Sequence, residues 1–507
     1  MSSSRLLGGT AAAQRSILRA PRSAQLWHGS TNNALSRTRC TAPAAVRGFK
    51  TTRLALFKSD AADDDPGDYF DFAFVKRDHT AKGTTDKPTT ATAATTTTTT
   101  SRLAAPSAAP FTAEANKLAE NFGFLFDCDG VLHKGNQTIS GAQEALRLCH
   151  DQATRYLFLT NGGGNTTEDQ KAVSLKKKVG LKTGELVDGR VIQSHTPLST
   201  FKEESKRNDT VYVTSLDPSR ARDIANAYGF KNVVTAADLI QHYPDIFPFE
   251  PKMIDGHAEA QPLPNGTKIW RGGSLDFDEA ELERGNHLRI DHIFVLNDPR
   301  DWALETQIIH DLLISHRGYL GTVSEFNGDR SSDNNGWQQD GQPQVWVSNL
   351  DLLWKTENPI SRFGTGAFVH ALRGVWAVAS GGRELRFKYM GKPSQITYEY
   401  AHECLLRGTA AAAPGEEKKA LRRVYMVGDN PESDVRGALE FHPQDGTEYV
   451  PILVRTGVWE ETQAEPKPRV TPAVIVDDVL DAIVWAMRQE GIDVDREMVL
   501  PNRLSKD

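Results

Sequence analysis

The chain has 507 residues, 39% of them hydrophobic and 25% charged, which is enough apolar material for one large or two ordinary domains. No apolar run approaches the roughly 18 residues of a spanning helix, so no membrane span is expected. The net charge of −7 is unevenly spread: residues 1–59 hold eight Arg, two Lys and no acid, and the remainder carries 49 basic against 66 acidic residues, a balance that argues against a general nucleic-acid binder.

Residues 1–60 are rich in Ser, Ala and Arg and lack the continuous apolar core of a secretory signal. That composition predicts a mitochondrial transit peptide, with the matrix as destination. The stretch RGFKTTRLALF resembles a matrix two-step processing site. Residues 61–115 run from acidic DDDPGD into a Thr-, Ala- and Pro-rich tract. They offer little apolar surface to offset the entropy of ordering and are expected to be a linker. Cys40 falls in the presequence, and Cys128, Cys149 and Cys404 fit neither a CxxC metal site nor a disulfide framework; they read as buried thiols.

From residue 116 short apolar runs recur: FGFLFD, RYLFLTN, TVYVTS, HIFVLND, QVWVSN and RVYMVGD. Continuous rather than alternating hydrophobicity suits strands buried on both faces of a parallel sheet. With helical patterns between them, the expected fold class is α/β, a doubly wound (Rossmann-like) parallel sheet. Residues 116–205 and 359–490 are expected to form this core, residues 206–358 an inserted α/β unit, and residues 491–507 a loose tail. Segments 328–344 and 407–420 read as surface insertions.

Three strand ends are polar, and ligands of doubly wound sheets bind beyond the carboxyl ends of strands. In DCDG, Asp127 and Asp129 project to one side of an extended segment. Their mutual repulsion is relieved by a hard divalent cation, Mg²⁺ where phosphate is also a ligand. Thr160-Asn161-Gly162-Gly163-Gly164 frees backbone N–H groups ahead of a helix capped by Asn165 or Thr166, a phosphate cradle. Asp429 and Asp434 in GDNPESD offer a second acidic arm for a metal. Lys392, extended before a proline, offers an ammonium to phosphate and carboxylate. Each cluster alone also has a bland reading, as solvated acids, a flexible turn or a surface lysine.

The order of DCDGV, LTN, GKP and GDNPESD resembles the haloacid dehalogenase (HAD) superfamily of hydrolases. The insert resembles the C2-type α/β cap of subclass IIA, the NagD-like group. SHTPLSTF, NLDLLWKTENPISRFGTGAF and LRFKYMGKPSQITYEYA are similar to the mitochondrial family of the cat-eye-syndrome critical-region protein. The resemblance implies a phosphatase with an aspartyl-phosphate intermediate. Asp127 would be nucleophile and Asp129 acid and base. Thr160, Asn161, Gly162 and Lys392 would hold the phosphoryl group. Mg²⁺ would sit on Asp127, the Asp129 carbonyl and Asp429, with Asp434 behind. It also implies His195, Asn349, Asp351 and Arg362 as cap or hinge residues, and a small phosphorylated metabolite as substrate. A homodimer through the cap and a link to glycerophospholipid metabolism are further implications. A non-catalytic binding protein and a phosphomutase on the same fold are the alternatives.

Overall fold

The computed structural model describes residues 117–248, 260–410, 418–462 and 466–500. The expected transit peptide and linker, much of the insertion at 407–420 and the end of the tail lie outside these residues. The first strands are β1 (Phe122–Phe126), a hairpin of β2 (His133–Lys134) and β3 (Gln137–Thr138), β4 (Arg155–Thr160) and β5 (Val191–Gln193). Next come β6 (Thr210–Thr214), β7 (Asn232–Val234), β8 (His292–Val295) and β9 (Gln344–Val347). A second hairpin, β10 (Leu353–Trp354) and β11 (Arg362–Phe363), precedes β12 (Lys388–Tyr389). β13 (Arg423–Gly428), β14 (Glu448–Val454) and β15 (Val474–Val476) complete the series.

These strands build two parallel sheets, as the apolar runs predict. The core sheet has the order β15-β14-β13-β1-β4-β5 and the inserted sheet the order β12-β9-β8-β6-β7. Both faces of each are buried. In β1, Phe122, Phe124 and Phe126 enter one core cluster and Leu125 the other. In β8, Ile293 and Val295 enter one cluster while Phe294 enters its opposite. A period of two with apolar residues on both sides leaves no face for water, hence the unbroken hydrophobic runs.

The inserted unit extends beyond the expected boundary at 358. The helix Thr365–Ala379 packs Phe368, Leu372 and Trp376 into the inserted unit's core, and β12 pairs in parallel with β9. Residues 365–389 therefore belong with the cap rather than with the second part of the core. Their apolar face, read as core, serves a different core. The segment 328–344 is also more than a surface insertion, because Trp337 packs edge-on against the buried Trp376 with ring centroids 5.5 Å apart. The expected tail is anchored where it begins: Val494 is buried and Arg496 pairs with Asp478 and Asp481, each at 2.6 Å. The three cysteines of the described residues are free and buried.

Within the cap, the phenol of Tyr212 donates to Glu305 at 2.5 Å in a fully enclosed pair. Burial pushes the Glu305 carboxyl up to about 7, against about 4.3 in an unfolded chain. The folded state thus prefers the protonated acid, so this stabilisation is full below pH 4 and is lost as pH rises to about 7. Glu305→Gln should remove a loss of about 4 kcal/mol between those limits, visible as a flatter pH profile of the denaturant midpoint.

Candidate active site

β13, β1 and β4 are neighbours in the core sheet, so their carboxyl ends share one edge. Asp127 follows β1, its N–H donating to the carbonyl of Val427 at 2.9 Å. Asp429 follows β13, and Thr160 closes β4. The turn after Asp129 needs glycine twice over. Gly130 has φ +90°, and a Cβ there would lie 2.3 Å from the Asp429 carboxylate. Asp429 accepts from the Val458 N–H at 2.6 Å. Asp434 accepts from the N–H groups of Asp429 (3.1 Å) and Asn430 (3.0 Å) and so ties the start of the following helix to the strand end.

Asp127, Asp429 and Asp434 are all buried, and each offers an oxygen within 4.8 Å of the others'. The Lys392 ammonium lies 2.7 Å from Asp127 and 2.6 Å from Asp434. Burial alone would lower the Lys392 pKa, but the two carboxylates outweigh it and hold the ammonium firmly protonated. Burial, with Asp434 adding repulsion, pushes the Asp127 carboxyl up to about 7 even against the pull of Lys392. Burial followed by Asp127 and Asp434 drives Asp429 well above the ordinary range. When ionised, the three buried carboxylates exceed the one ammonium by about two negative charges, the donor set that suits a divalent, oxygen-preferring cation.

The cap delivers the rest of the site from one edge of its own sheet, where β12, β9 and β8 are neighbours. Lys392 follows β12. Asn349 follows β9 and donates to the Asn161 carbonyl at 3.1 Å. Asn297 follows β8 and donates to the Gly163 carbonyl at 2.8 Å. The Asn161 side chain clamps Lys392 by its backbone, accepting from the Lys392 N–H (2.8 Å) and donating to its carbonyl (2.9 Å). The same amide donates to Asp351 at 2.9 Å. Burial raises the Asp351 carboxyl to about 6.

Around the glycine loop, the Thr160 hydroxyl accepts from the Gly162 N–H at 3.1 Å. A Cβ on Gly162 would stand 3.1 Å from Asp129, 3.2 Å from Lys171 and 3.3 Å from the Thr160 hydroxyl, so only glycine leaves that space open. The helix behind the loop is capped by Thr167 rather than Asn165 or Thr166. Gln170, three residues on, completes a reciprocal capping box. Burial raises the Asp129 carboxyl, but Lys171 at 3.6 Å, together with His133 and Lys178, outweighs it and the net shift is downward. His133, fully buried beside Asp129, is driven down to about 4 by burial and is neutral near pH 7.

Asp127, Asp129, Thr160, Asn161, Gly162, Asn349, Asp351, Lys392, Asp429 and Asp434 therefore converge. His195 does not join them: it is buried against the Tyr228 hydroxyl at 2.7 Å, which in turn donates to Glu168. Arg362 is exposed on the second hairpin. Lys171 and Asn297 escaped the sequence reading. Lys171 is one of four lysines in EDQKAVSLKKKV and carries no distinguishing signal. Asn297 had one, since it ends a buried strand as Asp127 and Asp429 do.

A core sheet with carboxylates on adjacent strand ends, a glycine loop, a buried lysine and an inserted parallel cap define a HAD-like hydrolase. The sequence matches the family described as haloacid dehalogenase-like hydrolase over residues 124–231, and the one described as HAD-hydrolase-like over 389–482. It is 30% identical over 388 residues to a mitochondrial hydrolase of Saccharomyces cerevisiae, covering 73% of this chain and 97% of the relative. A cardiolipin synthase (CMP-forming)/mitochondrial hydrolase fusion protein of Schizosaccharomyces pombe is 30% identical over 369 residues, 72% of this chain and 53% of its own length. Among solved structures, NagD from E. coli K-12 is similar over 71% of this chain and 97% of its own, at 15% identity and a TM-score of 0.39. The chain belongs to the HAD-like hydrolases, in the family of the yeast mitochondrial hydrolase.

Removing the ammonium by Lys392→Met should leave the buried carboxylates uncompensated and cost about 3–5 kcal/mol in metal-free buffer. Urea unfolding in EDTA measures the loss, and a divalent cation should recover part of it.

Proposed function

We propose that the chain is a Mg²⁺-dependent phosphatase of a phosphomonoester, acting through an aspartyl-phosphate. The reading is carried by one observation: three buried carboxylates lie within reach of a single ion, with Lys392 against Asp127. The substrate phosphoryl group is held by the Thr160 hydroxyl, the backbone N–H groups of Asn161 and Gly162, and Lys392. A carboxylate oxygen of Asp127 attacks phosphorus, the ester P–O bond breaks, and protonated Asp129 gives its proton to the departing alkoxide, yielding the alcohol. Asp129, now ionised, takes a proton from water as that water attacks the phosphorus. Orthophosphate leaves, and the Asp127 carboxylate is restored.

The proton on Asp129 is supplied by circumstance. In the free site Lys171 favours its ionised form, and a phosphate dianion lying alongside favours the acid. Asp127, Asp429 and the Asp129 carbonyl would hold Mg²⁺, with Asp434 supporting. Its chemistry is to neutralise the charge that accumulates on the phosphoryl oxygens. Lys392 serves the same charge from the other side, kept in place by Asn161. The intact carboxylates and lysine favour catalysis over a purely binding role. The names of the two long relatives support a mitochondrial location, and the synthase fused to one of them supports a link to glycerophospholipid metabolism.

In a screen of phosphomonoesters with Mg²⁺, the wild-type chain should release orthophosphate and EDTA should abolish the release. Asp127→Asn should lose at least about a thousandfold in kcat, and Asp129→Asn about a hundred- to ten-thousandfold. Full activity in Asp127→Asn would rule out the covalent route. An isomerised phosphate in place of orthophosphate would make the protein a mutase.

A further inference from the structure

The hairpin of β10 and β11 carries an apolar surface that the phosphoryl chemistry does not use. Leu352, Trp354, Ile360 and Phe363 are 45%, 43%, 71% and 65% exposed. They fall within twelve consecutive residues, a concentration that scattered surface hydrophobics do not show. The hairpin is rooted in the site, because Asp351, one residue before Leu352, is bonded to Asn161 and lies 3.5 Å from the Asn430 amide. Its far end docks on the core: Glu357 accepts from the Asn136 N–H at 2.5 Å, and Lys355 pairs with Glu460 at 2.9 Å. Asn136 lies at the tip of the small hairpin that follows Asp129, the residue on the leaving-group side. The apolar hairpin thus runs from the phosphoryl site across to the segment that carries the acid.

The hairpin is also prepared for apolar contact. The Trp354 indole N–H is spent on the Phe363 carbonyl at 3.1 Å, so the ring can meet an apolar partner without stranding a donor. Trp354 pairs with Arg362 across the strands, which sets a cation on the same face as the indole.

We infer that this hairpin is the leaving-group subsite and that the substrate is a phosphomonoester whose alcohol carries an apolar chain. The inference rests on the phosphatase reading and refines it. The phosphoryl end is fixed by the Asp127–Lys392 site, and the chain extends along Leu352 and Trp354, which alternate onto one face of β10, whereas Phe363 pairs with Leu353 on the other. Arg362 stands by a second polar group of an amphiphilic substrate. Each methylene removed from water at such a surface adds affinity, so selectivity should grow with chain length.

The test uses the full chain with Mg²⁺ and linear ethyl, butyl, hexyl and octyl phosphates, each below its aggregation concentration. For the wild type, kcat/KM should rise at least tenfold from ethyl to octyl. In Leu352→Ser/Trp354→Ser the loss relative to wild type should grow along the series, from about twofold on ethyl to at least tenfold on octyl phosphate. A flat wild-type series with measurable ethyl phosphate hydrolysis would overturn the subsite and leave the phosphatase intact. So would a variant that keeps the wild-type slope, or one that loses all four esters equally with an unchanged melting temperature. Hydrolysis of none of the esters, nor of p-nitrophenyl phosphate, would remove the catalytic reading and the subsite with it.

Discussion

Asp127, Asp429 and Asp434 crowd together away from water, where like charges repel strongly, and among the described residues only Lys392 touches two of them. That ammonium does not come from the core sheet. It follows β12, an edge strand of the inserted sheet, and it is held by an Asn161 side chain from the core. Balancing the charge of Asp127 therefore requires the two halves of the fold to meet in one register. The electrostatic constraint and the architecture are the same requirement.

The meeting has a simple geometry. Three adjacent core strands end in Asp127, the glycine loop and the acidic arm, while three adjacent cap strands end in Lys392, the Asn349–Asp351 segment and Asn297. A parallel sheet places all its carboxyl ends on one edge, so two such edges set together supply a dense polar site from strands that are otherwise wholly apolar. The cap is thus both a cover and a supplier of the groups that fix the phosphate loop, through Asn297 on Gly163 and Asn349 on Asn161. On the proposed reading, phosphoryl recognition lies between the sheets and leaving-group selection on the hairpin that leaves the Asn349–Asp351 segment.

Much of this was legible before any coordinates. Buried strands announce themselves by unbroken apolar runs, and the residues that end them are conspicuous because carboxylates are poor company for such runs. DCDG, TNGGG and GDNPESD stood out for that reason, and the order in which they occur identified the family. The boundary at 358 failed because Phe368, Leu372 and Trp376 signal burial without saying in which core. Lys171 was invisible among its neighbouring lysines. His195 lies outside the converging group: a sequence cannot tell a polar residue lining a site from one satisfied in a buried network, here with Tyr228 and Glu168.

By itself the sequence determined the parallel α/β class, the strand ends where polar residues gather, and the carboxylates that form the buried cluster, since these depend on local pattern and spacing. The tertiary structure decided what depends on contacts across the chain: that Lys392 arrives from the cap edge, that Lys171 is the cation beside Asp129, and that an apolar hairpin runs from Asp351 to Asn136. Those contacts join residues up to 265 positions apart in the chain, a range over which periodicity carries no information and packing alone selects the partner.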